Sequence, residues 1–222
     1  MKKRTLVSWS SGKDSAWALH VLRQDPAIDL VGLFTTVNAE YRRVAMHATR
    51  LDLLQRQADG VGLPLQTIDL PDPCSNAQYG TIMRRFVRDS TAQGIACMAF
   101  GDLFLADIRQ YRENQLRATG IVPLFPLWGI PTKDLAEQML SAHLEAYISS
   151  VDLKRLPLHF AGRKWSRELL AELPEGSDPC GENGEIHTVV VGGPMFAQPI
   201  PVQIGQVVER NGFGYADILP MG

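Results

Sequence analysis

The chain has 222 residues, of which 45% are apolar, and carries a formal net charge of −2 and three cysteines. This length and apolar content suit one α/β domain with an appendage or two small domains, and the near-neutral charge disfavours a surface dedicated to nucleic acid. The three cysteines are widely separated and no apolar segment has signal-peptide or membrane-spanning length, so we expect a cytoplasmic protein with no membrane partner.

Strands and helices alternate along the first part of the chain. Continuous apolar, β-branched runs predict five buried strands, at 5–7, 29–37, 65–70, 96–100 and 121–125. Amphipathic or capped segments predict the helices between them, at 16–23, 47–58, 75–87 and 107–118. Parallel neighbours need crossover helices, so this alternation predicts an α/β fold with a doubly wound parallel sheet.

The sequence pattern changes after residue 126, where prolines separate shorter predicted elements. The patterns there predict helices at 133–143 and 166–173 and strands at 146–151, 185–191, 202–209 and 215–219. We therefore expect a larger domain over residues 1–128 and a smaller α+β region over 129–222 that packs against it.

A short polar segment, S-W-S-S-G-K-D-S, joins the first predicted strand to the first predicted helix. Gly12 lets the backbone approach a ligand, the first N–H groups of the helix have no internal partner, and the helix dipole adds positive potential. Lys13 contributes a full charge, and the hydroxyls of Ser10, Ser11 and Ser15 can donate to phosphate oxygens. The segment therefore predicts a phosphate site.

Two other interpretations compete with a general phosphate site. A Walker A loop would need glycine at Val7 and a hydroxyl residue at Asp14, so that pattern fails twice. A capped turn without a ligand, using Ser11 or Asp14 as the cap, is the structural alternative. The segment instead resembles the PP-loop, the S-G-G-x-D-S pattern of AMP-forming ATP pyrophosphatases, with Ser11 in place of the first glycine. We expect the Cβ of Ser11 to stand where the phosphate approaches.

Ligands of doubly wound sheets bind beyond the carboxyl ends of the strands. The polar loop at 8–15, Thr35 to Asn38, and Gly101 with Asp102 all follow predicted strands, so we expect them to share one crevice. Asp102 there could hold Mg²⁺ or orient a nucleophile. Asp107 serves either this site or the dipole of its own helix.

A second polar cluster, D-P-C-G-E-N-G-E-I-H-T, occupies residues 178–188. Glu185 and His187 alternate on a predicted strand, so we expect them to point to the same side and to act as base and acid or to grip a polar substrate. Cys180 and His187 are too few ligands to favour zinc. The roles of two further residues stay open. His47 is expected to be a helix cap, a core residue or a catalytic residue, and Cys74 is expected either to pack in its loop or to contact substrate.

These motifs together resemble the diphthine–ammonia ligase family of PP-loop proteins, in the adenine nucleotide alpha hydrolase superfamily. The resemblance rests on S-S-G-K-D-S at 10–15, V-A-M-H at 44–47, Q-A-D-G-V-G-L-P-L at 57–65, F-G-D-L-F-L-A-D-I-R-Q-Y-R-E at 100–113, F-P-L-W-G at 125–129 and the 178–188 cluster. It implies a Rossmann-like sheet in the order 3-2-1-4-5 and a C-terminal region that completes the active site. Ile186 stands where the family often has an aromatic residue.

The resemblance also implies roles for individual residues. Nucleotide binding is assigned to Ser10, Ser11, Gly12, Lys13, Ser15, Thr35, Thr36, Val37, His47 and Gly101. Catalysis is assigned to Lys13, Asp14, Asp102, Glu185 and His187, with Asp14 and Asp102 near Mg²⁺. Contact with the acceptor or ammonia is assigned to Asp107, Arg112, Asp178, Cys180, Gly181 and Glu182.

The implied reaction joins ammonia to a carboxylate, with ATP converted to AMP and pyrophosphate. Its expected partners are ATP, Mg²⁺ and ammonium, with a translation elongation factor or another carboxylate as the acceptor; a homodimer is one assembly open to the chain. The alternatives are an adenosine nucleotide hydrolase, a regulator that binds ATP or AMP without ligase turnover, and an RNA thiolase that would use a catalytic cysteine pair.

Overall fold

The computed structural model describes residues 1–44 and 49–221. Its strands are β1 (Lys3–Ser8), β2 (Ile28–Asn38), β3 (Arg43–Val44), β4 (Leu65–Leu70), β5 (Cys97–Ala99), β6 (Val122–Leu124), β7 (Glu145–Asp152), β8 (Ile186–Gly192), β9 (Val202–Arg210) and β10 (Phe213–Pro220). Its helices are α1 (Lys13–Arg23), α2 (Leu51–Val61), α3 (Asn76–Ala92), α4 (Ala106–Leu116), α5 (Thr132–Ser141) and α6 (Arg167–Ala171), with a 3₁₀ turn at Leu158–Phe160.

The first sheet contains the five predicted parallel strands in the expected order. The parallel strands lie side by side as β4-β2-β1-β5-β6, which is 3-2-1-4-5 when only these five are numbered, so the predicted fold class is confirmed. The sequence did not indicate β3, a two-residue strand that pairs antiparallel with Val37 and Asn38 of β2. It lies on the β1 side of β2, beyond the last residue of β2 that pairs with β1.

Strands β1 and β2 send alternate side chains into two different clusters, because successive residues of a strand face opposite sides. Val7 and Leu33 pack on one face with α1 and α2. Leu6 and Phe34 pack on the other face, in a cluster with Phe86 of α3. Helices therefore cover both faces, which explains why these strands read as continuous apolar runs.

The second sheet is antiparallel, in the order β8-β7-β10-β9. Ile148 of β7 and Val189 of β8 belong to the same buried cluster as Val7 and Leu33 of the first sheet. One core thus joins the two sheets and brings β8 against the start of α1. There the amide of Val190 donates to the carbonyl of Ser11 at 2.9 Å.

Several predicted boundaries needed adjustment. Helix α2 begins at Leu51, later than the predicted start at His47, and ends at Val61; the capping residue Gly62 that follows has a φ of 68°, which favours glycine. His47 itself lies outside the described residues. The predicted cap of α3 is confirmed: Ser75 accepts from the amide of Gln78, and the Gln78 side chain bonds back to the amide of Ser75.

The strand predicted from Glu185 begins one residue later, at Ile186. This shift matters for the site, because Glu185 belongs to the turn before β8. None of the described helices is long and apolar enough to cross a membrane.

Candidate active site

The opening loop and the C-terminal polar cluster line one cavity of about 220 Å³. Ser10, Lys13 and Asp14 contribute one wall of this cavity, and Glu182 and His187 contribute another. The two segments meet because β8 packs beside α1, so residues far apart in sequence face the same space. We call this space the polar cavity.

A second cavity of about 300 Å³ adjoins the polar cavity and shares Ser8, Ser10, Phe100, Arg112 and His187 with it. Its other walls are mainly apolar and come from the cluster beneath α3 and α4: Phe34, Met83, Val87, Met98 and Leu116. Thr35 and Thr36 also line it, at the end of β2, whereas Val37, which was expected beside them, is buried in the same core cluster as Val7. This volume lies within the range of small-molecule sites. We call it the apolar cavity.

Ser11 does not contact the polar cavity. Its φ of 70° places the backbone in the left-handed region, which explains why the related PP-loop pattern has glycine there. The side chain is completely buried, and its hydroxyl lies 2.6 Å from the hydroxyl of Thr49. The expectation that Ser11 binds phosphate, or that its Cβ crowds the phosphate site, is therefore corrected: the left-handed backbone turns the side chain away.

Lys13 is buried at the first position of α1, and its ammonium group bonds to both segments of the site. Nζ donates to Asp14 Oδ2 at 2.9 Å and to the main-chain carbonyl of Cys180, and it lies 5.5 Å from the centre of the Trp165 ring. Burial alone would lower the pKa of Lys13, but Asp14, with smaller effects from Cys180 and Asp178, raises that pKa above its usual value. Lys13 is therefore a permanent positive charge inside the cavity.

Gly101 allows the end of β5 to approach the start of α1. A Cβ on Gly101 would lie 2.9 Å from the backbone carbon of Asp14 and 2.9 Å from the backbone nitrogen of Ser15. These are main-chain atoms that a side-chain rotation cannot move away. The predicted place of Gly101 beside the loop thus has a steric cause: only glycine fits at this contact.

Asp14, Asp102 and Glu182 line the polar cavity together. Burial raises the pKa of Glu182 to about 7, and the nearby Asp14 and Asp102 add to that rise. Burial also raises the pKa of Asp102, against the opposing effect of Arg112. A further cation bound beside these three carboxyl groups would favour their ionised forms.

This carboxylate set fits Mg²⁺ only if other ligands complete its coordination. Within residues 1–44 and 49–221, no group of three or more His, Cys, Asp or Glu side chains is arranged to hold a metal ion. Asp102 Oδ2 is buried and has no hydrogen-bond partner among the described residues, and Arg112 Nε lies 3.7 Å from it. Mg²⁺ commonly takes one or two carboxylates and completes its shell with phosphate oxygens and water, so Asp14 and Asp102 suit it beside a phosphate chain.

His187 and Glu185 do not act on the same space. His187 lines both cavities, and burial, with a smaller effect from Lys13, lowers its pKa to about 4, so the ring is neutral near pH 7. Glu185 is buried elsewhere: its Oε1 accepts from Arg155 at 3.1 Å and from the amide of Asp178 at 3.3 Å. The expectation that Glu185 faces the substrate beside His187 is corrected, because Glu185 lies in the turn before β8.

Three further predicted residues, Arg112, Asp178 and Asp107, have three different surroundings. Arg112 stacks over Phe100, 4.9 Å from the ring centre, at the junction of the two cavities. Asp178 shapes the C-terminal loop, because its Oδ2 accepts from the amide of Glu182 at 2.7 Å. Asp107 is exposed in the first turn of α4 and lines neither cavity, which suits the dipole interpretation.

Comparison with known families covers most of the chain. Residues 3–120 match the diphthamide synthase N-terminal domain, and residues 131–219 match the diphthamide synthase C-terminal domain. The chain belongs to the diphthamide synthase family. Both segments that line the polar cavity lie inside the matched ranges, one in each domain.

Curated relatives of this diphthamide synthase family member are the diphthine–ammonia ligases of Bos taurus and Homo sapiens. Each is 30% identical over 120 residues, which cover 51% of this chain and 45% of the relative. The diphthine–ammonia ligase of Rattus norvegicus is 29% identical over the same length. The aligned part thus spans slightly less than half the length of the curated relatives.

Sequence reasoning missed four residues that hold the site of this family member together: Thr49, Gln57, Trp165 and Thr188. Thr188 Oγ1 accepts from the amide of Lys13 at 3.2 Å. Gln57 is completely buried in α2, on the face formed by Leu53, Leu54, Ala58 and Val61. An amide on an otherwise apolar helix face is a signal that could have marked Gln57, because a buried polar group needs partners.

Proposed function

We propose that the chain is an ATP-dependent ligase that activates a carboxylate by transfer of AMP and then joins it to ammonia. The observation that carries this proposal is the shared polar cavity, which Lys13 lines together with Asp14, Asp102 and Glu182 and in which the Lys13 ammonium is bonded to Asp14. The positive group suits a phosphate chain, and the carboxylates suit Mg²⁺ and an ammonium ion. Membership of the diphthamide synthase family supports the same reaction.

ATP would occupy both cavities. The apolar cavity, with Thr35 and Thr36 at its rim, would take the adenosine, and the N-terminus of α1 with Lys13 and Ser15 would bind the β- and γ-phosphates. Charge grows on pyrophosphate as it leaves, so a buried, preorganised cation at Lys13 stabilises the transition state more than the ground state. Arg112, at the junction of the cavities, would lie beside the reacting phosphate.

The first step forms a bond between an oxygen of the acceptor carboxylate and the α-phosphorus and breaks the bond from that phosphorus to pyrophosphate. In the second step, the nitrogen of ammonia attacks the acyl carbon and AMP leaves with the bonding electrons. Mg²⁺ held by Asp14 and Asp102 would supply charge neutralisation on the phosphates. We assign to Glu182 the removal of a proton from ammonium, because a pKa of about 7 suits proton transfer near neutral pH.

The curated relatives are diphthine–ammonia ligases, a name that gives their acceptor as diphthine. We propose the same class of acceptor here, a carboxylate presented by a modified translation elongation factor. Ammonium would come from solution or from a partner enzyme.

An oxygen-labelling experiment tests the proposed reaction. The full chain is incubated with ATP, Mg²⁺ and ammonium, with and without elongation factor 2 that carries diphthine labelled with ¹⁸O in its carboxylate. Adenylation predicts AMP and pyrophosphate in equal amounts and one ¹⁸O atom in each AMP, because the carboxylate oxygen stays on phosphorus when the amide forms.

Other products would point to other functions. Unlabelled AMP formed without acceptor would indicate nucleotide hydrolysis by water, and ADP as the product would exclude the ligase reaction. Binding of ATP without turnover under every condition would support a regulatory protein. The Lys13→Ala variant, checked for an unchanged circular dichroism spectrum, is expected to abolish pyrophosphate release.

A further inference from the structure

We propose that Gln57 is a positioning residue: it orients the backbone amide of Gly12, in the opening loop, toward the phosphates of ATP. This inference rests on the proposed nucleotide site and adds a residue outside both cavities. Gln57 lies on α2, is completely buried and lines neither cavity, and its side chain bonds to the main chain of the opening loop.

The carboxamide of Gln57 makes three hydrogen bonds. Its Oε1 accepts from the indole N–H of Trp9 at 2.9 Å. Its Nε2 donates to the carbonyl of Ser11 at 3.1 Å and to the carbonyl of Val190. The side chain thus connects both ends of the left-handed turn to β8, and every contact is buried.

These contacts determine the direction of a backbone N–H. The carbonyl of Ser11 and the amide of Gly12 belong to one planar trans peptide, in which C=O and N–H point in opposite directions. Gln57 and the Val190 amide hold the carbonyl on the side of α2 and β8. The Gly12 N–H therefore points toward the Ser10 hydroxyl, 3.4 Å away, which lines both cavities.

Only an amide of this length satisfies all the partners. The indole of Trp9 can only donate, and the two carbonyls can only accept, so the side chain between them needs one acceptor and two donors. A glutamate of the same shape would face the two carbonyls with oxygen atoms, and methionine would leave Trp9 without an acceptor. The arrangement explains a polar residue in the apolar face of α2.

The test compares ATP with adenosine, because only ATP uses the phosphate-binding amide. Binding of each ligand to the full chain is measured by calorimetry for the wild type, for Gln57→Met and for Leu54→Val, a change of a buried apolar residue on the same helix face. We expect Gln57→Met to weaken ATP about 10-fold and adenosine less than about 2-fold. Leu54→Val is expected to leave the ratio of the two affinities unchanged even though it lowers the melting temperature.

A second variant keeps the test decisive if Gln57→Met does not fold. Gln57→Asn keeps the amide but is one methylene too short to reach all three partners, and it is expected to weaken ATP about 3-fold and adenosine less than about 2-fold. Equal loss of both ligands, or an unchanged ATP-to-adenosine ratio in the folded variants, would overturn the role of Gln57 alone. Failure of the wild-type chain to bind ATP would instead overturn the nucleotide site, and the role of Gln57 with it.

Discussion

The ammonium group of Lys13 donates a hydrogen bond to the main-chain carbonyl of Cys180, 167 residues further along the chain. This bond joins the start of α1 to the C-terminal polar cluster and places a buried positive charge between them. The opening loop and the C-terminal residues that line the polar cavity with it therefore form one site, and a change on either side is expected to alter the other.

Replacing Lys13 with methionine keeps the length of the side chain and removes the charge. We expect ATP affinity to fall about 30-fold, because a buried, charge-assisted contact to phosphate is lost. Titration calorimetry measures the effect, with the exposed Lys154→Met as the control that should bind ATP normally. An ATP affinity within about 2-fold of the wild type would contradict the proposed phosphate site.

Ser11→Gly tests the finding that this side chain faces away from the cavity. The variant loses the hydrogen bond to Thr49 and gains a residue suited to the left-handed backbone, so its ATP affinity should stay within about 2-fold of the wild type. Ser11→Ala loses the same bond but keeps the strain and should be less stable than Ser11→Gly by about 1 kcal/mol in urea unfolding. An alanine variant at least as stable as the glycine variant would argue against the left-handed conformation.

Gly101→Ala is expected to weaken ATP binding and to lower the free energy of unfolding by about 1–3 kcal/mol, because the added methyl group meets the backbone of Asp14 and Ser15. Gly80→Ala in α3 is the matched control: its Cβ would approach only the mobile tip of Arg84, at 3.2 Å. There the higher helix propensity of alanine should offset the contact and stabilise the protein by up to about 1 kcal/mol. Both variants are compared by urea unfolding. If Gly101→Ala and Gly80→Ala lowered the free energy of unfolding equally, the steric explanation would be excluded.

Glu182→Gln should change how stability depends on pH. The pKa of Glu182 is about 7 in the folded chain and near 4.5 when unfolded, so the folded state holds more protons between these values and wild-type stability falls as pH rises through them. Glutamine keeps the bond from the Leu103 amide and does not ionise, so the variant should gain up to about 2 kcal/mol over the wild type between pH 4.5 and pH 7.

The measurement is urea unfolding at several pH values between 4.5 and 8. The ionisation of His187 makes stability rise with pH between about pH 4 and 6.5, because the pKa of His187 is lowered in the folded chain. His187 is present in both proteins, so its contribution cancels in the difference between their unfolding free energies. A difference between variant and wild type that does not change with pH would show that Glu182 ionises normally.

The cysteines are expected to differ in reactivity. Burial raises the pKa of the Cys180 thiol to about 12, and Sγ donates to the carbonyl of Thr132 at 3.4 Å, whereas Cys74 is only half-buried. Iodoacetamide at pH 8, followed by peptide mass spectrometry, should label Cys74 and leave Cys180 unlabelled, because the thiolate is the reactive form. Cys180→Ser should retain pyrophosphate release, and loss of activity on that change would revive the RNA thiolase alternative.

The amino-acid sequence by itself determined where the five parallel strands lie along the chain and that the polar opening loop forms the first strand-to-helix turn. These features depend on local signals: apolar runs of strand length, helix caps such as Ser75, and the glycine and lysine that open α1. The resemblance supplied the sheet order, and the structure confirmed it.

Only the tertiary structure decided which polar residues face the site. Glu182 and Glu185 are three residues apart in the same polar cluster, but Glu182 lines the polar cavity and Glu185 is buried against Arg155. The left-handed backbone at Ser11 and the three bonds of Gln57 likewise depend on strands that are distant in sequence. Periodicity gives the direction of a side chain only inside a regular element, and these residues lie in turns or contact partners that only packing brings near.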